Sequence, residues 1–272
     1  MSISVTSSYV LTSQLFQRVK KIILHPLLAS IVSFLVLWWI ISMLVSAHDV
    51  LPSPLSIGQE AVDMILYGNV PYHSGATLLR IVGGWAVAMF LGVGLGILMG
   101  ANSYMNKVLR DFVIVDLVMP GLVWAVMAVI WFGGSIMASI VAVSMIAFPT
   151  VVVNTYEGVK NVEKELVDMA RVYGIKKSNI LRKIILPSLT PFILASARQA
   201  FAQAWKVVSL VELFGTSSGI GYEIRSAYDR FSVAGILAWT IVFTIIILTI
   251  EHGIFGPVQR YILRWRPEIG EI

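Results

Sequence analysis

Residues Asn161 to Pro187 read NVEKELVDMARVYGIKKSNILRKIILP. This interval is rich in charge yet patterned as a helix, and apolar sequence lies on both sides of it. Val162, Leu166, Met169, Ala170 and Tyr173 recur at i, i+4, i+7, i+8 and i+11, which is one face of an α-helix. Asn161 is placed to cap its start, and Glu163 and Glu165 fall in the first turn, where the helix dipole favours acids. Gly174 falls where a left-handed residue would stop the helix. Ser178 is placed to cap a second short helix through Ile185. Pro187, with no N–H to satisfy, suits the first turn of the next helix. The pattern predicts a corner of two short helices standing between membrane spans.

The rest of the chain supports that setting. Of 272 residues, 57% are hydrophobic and 13% charged, whereas a soluble domain carries roughly a quarter charged residues. A polytopic membrane protein follows. Six apolar stretches can each cross a hydrocarbon core, which takes ~20 helical residues. They are approximately Leu27–Ala47, Thr77–Gly100, Phe112–Phe132, Ser135–Val153, Pro187–Phe214 and Val233–Gly256. None alternates with the period of a barrel strand, so helices remain. The expected fold is all-α, one transmembrane domain over residues 1–272, with a loop at 154–186. The segment before the first span is too long and mixed for an ordinary cleaved signal peptide, and the span is too long for such a peptide's apolar core, so the first span reads as an uncleaved anchor.

The net charge of +5 comes without cysteine and without a nucleic-acid motif. The positive residues have a topological use instead. With the N-terminus inside, Arg18, Lys20, Lys21, Lys107, Arg110, Lys160 and the whole basic set from Lys164 to Lys183 are cytoplasmic, with Arg260, Arg264 and Arg266. Only Arg225 and Arg230 fall outside. Both termini are therefore expected in the cytoplasm, and the 161–187 corner with them.

The corner also resembles a known signature. Asp168-Met169-Ala170, then Gly174, then Ile184-Ile185-Leu186-Pro187 stand at the offsets of the E-A-A, Gly, Ile-x-Leu-Pro loop of binding-protein-dependent ABC importer permeases. Asp replaces Glu and Met replaces the first Ala. Leu51-Pro52-Ser53-Pro54, Thr77-Leu78-x-Arg80-x-x-Gly83, Pro120, Trp124, Trp131-Phe132-Gly133 and Gly219-Ile220-Gly221 follow in the order seen in permeases for nitrate, sulfonates, taurine and bicarbonate. Val126 stands where many relatives carry another proline. The resemblance implies a six-span, type I importer permease in the bacterial cytoplasmic (inner) membrane, with the corner as a coupling helix. It implies separate ATPase subunits docking at Asp168, Met169, Ala170, Gly174, Ile184, Leu186 and Pro187. Those subunits would hold ATP and magnesium, and this chain no cofactor. An extracytoplasmic binding protein and two permease copies, a homodimer in the simplest case, complete the implied complex. No G-x-x-x-x-G-K-[ST] pattern occurs in the chain.

Within the spans, ionisable and polar residues are the functional candidates. Ser196, Gln199, Gln203 and Lys206 share one face of the fifth span, and a polar stripe of this kind faces either a water-filled path or another helix. With Trp124 they are the candidate path for a small, anionic solute. Arg80, Asp116 and Glu251 stand near span ends, where snorkelling or pairing is open to them. Lys206 has Glu212 as an alternative partner. Gly92, Gly96 and Gly100 line one helix face suited to close packing. Gly215-Thr216-Ser217-Ser218-Gly219 fits a nucleophile elbow, but His252 falls at the opposite end of the sixth span. The segment therefore reads as a flexible turn. Four scattered histidines give no metal site. A lone gradient-driven carrier or channel is the rival class; it would normally show an inverted repeat.

Single cysteines at Arg225 and Lys176 test the topology, since the chain has no other cysteine. In sealed, oriented vesicles an impermeant thiol reagent should reach one site from each side. Labelling of both from the same side would overturn it.

Overall fold

The structure, a computed structural model, describes residues 26–45 and 50–264. Arg18, Lys20, Lys21, His25, His48 and Arg266 lie outside the described residues. Among the described residues every regular element is helical. Pro26–Leu44 forms α1, whose end is tied to the next segment by Ser42 Oγ donating to Leu51 O at 2.9 Å. The Leu51–Pro54 motif then has a plain use. Ser53 caps α2, Pro54–Tyr67, by accepting from Ser56 N, and Pro54 fills the first turn, where its missing N–H costs nothing.

Among the described residues four helices are long and apolar enough to cross a membrane: α3 (Val70–Ala101), α6 (Ile136–Lys160), the run Lys177–Gly215, and the run Val233–Ile262. The expected third span is broken. Ser103–Val118 (α4) and Gly121–Phe132 (α5) meet at 94°. Pro120 is the cause: it lacks an N–H and forces the preceding residue out of the helical region, and Met119 has ψ 130. Counting the bent pair as one gives five spans, with α1 a shorter apolar helix.

The two central spans, α3 and α6, meet along small residues. Gly84, Ala88, Gly92, Gly96 and Gly100 recur every four positions on α3 and are opposed by Val143, Ala147, Val151, Thr155 and Val159 on α6. The sequence offset stays constant along the row, so the two helices run parallel. A Cβ added at Gly84, Gly92, Gly96 or Gly100 would sit 2.5–2.7 Å from its α6 partner. Lipid gives helices no hydrophobic drive to associate, so such close van der Waals contact is what holds them. The third central helix, α9 (Leu186–Gly215), packs over this pair through Phe201, Ala204, Trp205 and Val208.

The corner departs from expectation at its ends. Asn161 closes α6, donating through N and Nδ2 to Glu157 O, and α7 (Lys164–Val172) starts from Glu163. Gly174 does stop α7, at φ +69, with Ile175 N donating to Ala170 O and Gly174 N to Arg171 O. After it there is no second break. The helix that starts at Lys177–Ile180 (α8) continues through a π turn, Leu181–Ile185, into α9, and Ser178 is inside it rather than capping it. A proline clashes with the carbonyl four residues back, and the wider π turn relieves this ahead of Pro187. The last span repeats the device: Val233–Ile250 (α11), a π turn at Glu251–Phe255, then Gly256–Ile262 (α12) with Pro257 in its first turn.

The α3–α6 row predicts a contrast between neighbouring glycines. Gly96→Ala should cost about 1–3 kcal/mol, the usual range for overpacking, because Thr155 Cβ and Val152 O close the site. Gly94→Ala, with open space around it, should change stability by roughly 0.5 kcal/mol or less. Thermal unfolding in detergent compares the two, and equal effects would show that the row does not hold the helices.

Candidate functional site

Three polar regions are distributed along the bundle. At the corner, Ala170 is buried, while Leu166, Met169 and Tyr173 are exposed at 41%, 51% and 78%. The amphipathic face of α7 is therefore mostly uncovered. Asp168 is exposed and accepts from Arg171 Nη1 at 3.1 Å within the same helix. Ile184 is half-buried, and Leu186 and Pro187 are exposed. These residues, with Gly174, share the corner end of the molecule.

Midway along α9, the predicted stripe divides. Ser196 is fully buried and donates to Ile193 O of its own helix. Gln199 accepts from Asn154 Nδ2 at 2.9 Å, and the Gln203 amide meets Thr150 Oγ1 at 3.0 Å. Both glutamines thus bridge to α6. Lys206 is exposed, with no hydrogen bond or ion pair among the described residues. Trp124 stands apart from this ladder, lining a cleft beside Asp116. The sequence reading missed Thr150 and Asn154. Two polar residues four apart on an apolar span carry the same signal as the stripe they pair with.

At the far end of the bundle lies a closed polar nucleus. Glu212 on α9 is fully buried. It accepts from Arg80 Nη1 at 2.6 Å, Thr77 Oγ1 at 2.9 Å and Gly221 N at 2.9 Å. Arg80 also donates to Ser218 O and Ser218 Oγ, at 2.7 and 2.8 Å. Thr77 Oγ1 accepts from Ile220 N, the first residue of α10 (Ile220–Asp229). His73 Nδ1 accepts from Gly219 N at 3.2 Å, so its ring proton is on Nε2, which faces Glu223 at 3.3 Å.

This nucleus corrects two expectations. The Gly215–Gly219 segment is an anchored turn, held by Arg80, Thr77 and His73, with Gly219 at φ +110. A side chain at Gly219 would collide with the Glu212 carboxylate, and one at Gly221 would come within 2.5 Å of Ser209 O. Lys206 does not pair with Glu212, whose oxygens are fully used by Arg80, Thr77 and Gly221. Arg80 is paired rather than snorkelling. Glu251, in the second π turn, pairs with Arg198 of α9. His252 stands in that turn, with α11, about 27 Å of helix, between it and the anchored loop. Among the described residues no serine–histidine hydrogen bond forms.

The chain belongs to the family described as binding-protein-dependent transport system inner membrane component, whose model matches residues 92–256. It is thus an ABC importer permease. The bicarbonate transport system permease protein CmpB of Synechococcus elongatus is 31% identical, over 89% of this chain and 90% of the relative. An aliphatic sulfonates transport permease protein, SsuC of Bacillus subtilis, is 29% identical over 85% and 83%. The formylaminopyrimidine transport permease protein ThiX of Halalkalibacterium halodurans is 26% identical over 85% and 92%. The fold is similar to that in the inward-facing MetNI methionine ABC transporter. The TM-score is 0.61 at 16% identity, over 69% of this chain and 93% of that one.

Removing Glu212 should be among the most destabilising single changes. Glu212→Ala leaves Arg80, only 7% exposed, without its counter-charge, a loss of roughly 3–5 kcal/mol. Thermal unfolding beside Arg225→Ala, at a half-exposed helix-surface pair, measures it. Equal shifts in the two variants would show the nucleus to be dispensable.

Proposed function

We propose that this chain forms the path for a small anionic solute, such as a sulfonate, nitrate, taurine or bicarbonate, through an ATP-driven importer. Lys206 carries the reading. It is an exposed ammonium on a span helix, and the acid that could have neutralised it is already held by Arg80. A fixed positive charge raises the local concentration of anions without making a tight site, which a transporter needs if solute is to leave again. Two relatives named for sulfonates and bicarbonate support an oxyanion. The formylaminopyrimidine of a third is not one, so the choice of anion rests on Lys206.

The uncovered face of α7 supports a docking role for the corner. Separate ATPase subunits would seat on Asp168, Met169, Ala170, Gly174, Ile184, Leu186 and Pro187, and they would bind ATP and magnesium. Solute would arrive from a binding protein on the outside face, and a second permease copy would complete the path. Both termini would lie in the cytoplasm, the chain crossing the inner membrane.

In the reconstituted complex Lys206→Gln should lower solute uptake roughly tenfold, the lower end of what charge focusing supplies. Lys206→Arg should keep most of it, with both variants assembled normally. Uptake untouched in Lys206→Gln, or a complex that falls apart, would end the path role.

A further inference from the structure

From Ala195 to Lys206, the residues that α9 leaves exposed are Ala195, Arg198, Gln199, Ala202 and Lys206. Their spacing of i, i+3, i+4, i+7 and i+11 makes them one stripe. It holds no large apolar side chain. The opposite side of the helix is closed, with Ala200, Phe201, Ala204 and Trp205 buried. The exposed side of α3 shows what faces lipid in this protein, with Leu79, Val82, Phe90, Leu91 and Leu98. Two cations, an amide and two alanines do not suit that solvent. Lysine and arginine within spans face a bundle interior or a water-filled cavity.

Arg198 and Lys206 stand eight residues apart, about 12 Å along the helix. Lys206 is nearer the anchored end and Arg198 nearer the corner. Lys206 has no ion pair among the described residues, whereas Arg198 Nε meets Glu251 Oε1. The Arg198 side chain is nonetheless 54% exposed, and neither of its Nη groups has a partner among the described residues. An ion pair open on one side is worth little as a clamp. Glu251 begins the π turn Glu251–Phe255, and such turns are frequent at functional sites. Phe255 of the same turn seats it on α9, its ring 5.1 Å from that of Phe201.

We propose that Arg198 and Glu251 form the inner charge gate of the solute path. Glu251 is the resident counter-ion of Arg198, and an anionic group arriving from Lys206 displaces it. The guanidinium exchanges one anion for another and is never left bare, the state that would be costly. Its planar fork suits an oxyanion, where the Lys206 ammonium is a point charge. The inference rests on the reading of α9 as a wall of an anion path, and adds what regulates passage along it.

Ala202 stands one turn from each cation, so a thiol placed there reports on both. Ala202→Cys in the full-length chain, in lipid nanodiscs, is treated with charged, water-soluble sulfonatoethyl methanethiosulfonate. Adduct formation is followed by intact-mass spectrometry. The thiol should be modified, and sodium ethanesulfonate should slow the reaction more than sodium chloride at the same concentration. The half-effective ethanesulfonate concentration should fall about threefold in Glu251→Gln and rise about threefold in Arg198→Gln. That is roughly what one unit charge a helical turn away does in salt-screened water. A thiol that stays unmodified would show the stripe covered by lipid or by a second copy, and would overturn the gate. So would one half-effective concentration shared by all three chains. A shift in the same direction in both variants would make the pair a clamp, and would also overturn it. Lys206 is intact in every labelled chain, so this result and that of the uptake assay on Lys206→Gln fail separately.

Discussion

The close approach of α3 and α6 is the constraint on which the other contacts depend. Helices in lipid associate through van der Waals contact and a few hydrogen bonds, because the tails around them are as apolar as leucine. A glycine or alanine at every fourth position of α3 lets the α6 backbone come close over the full row from Gly84 to Gly100. Both helices run in the same direction, so the chain between them must return across the bundle. It does so in two pieces, α4 and α5, with Pro120 at the break. The cleft lined by Asp116 and Trp124 lies along that broken return.

Polar groups are handled differently at the two levels of the bundle. At the far end, Arg80, Glu212, Thr77, Ser218 and the Gly219–Gly221 backbone satisfy one another, so charges that would be prohibitive singly become a rigid plug. Glycine is required there by contact as well as by backbone: the space that a Cβ would take at Gly219 is occupied by the Glu212 carboxylate. In the middle, pairing is partial. Gln199 and Gln203 tie α9 to α6 through Asn154 and Thr150, while Lys206 has no ion-pair partner among the described residues.

The corner end combines rigidity with a surface left open. The 5→2 and 6→1 hydrogen bonds around Gly174 fix the turn after α7, and the helix beyond it runs without a gap into α9. A force applied to α7 would therefore reach the span through continuous helix. The π turn before Pro187, like the matching turn before Pro257, replaces the ordinary bonding with wider i→i−5 bonds, from Leu186 N to Leu181 O and from Gly256 N to Glu251 O.

Sequence alone determined the class, the apolar stretches, the glycine corner and the small-residue row, because each is a local property. Hydropathy over twenty residues, a four-residue period and a φ that only glycine adopts readily are all written within one helix or turn. It also placed Ser196, Gln199, Gln203 and Lys206 on one face. What it left undecided was which of those side chains another helix would claim. That Glu212 belongs to Arg80 and not to Lys206, that Thr150 and Asn154 hold the glutamines, and that Gly215–Gly219 is a fastened turn are relations between residues from 45 to 146 positions apart. The same holds for the break at Pro120. A proline in an apolar run fits a mild kink as well as a right-angle turn, and only packing of α4 and α5 against the α3–α6 pair selects between them.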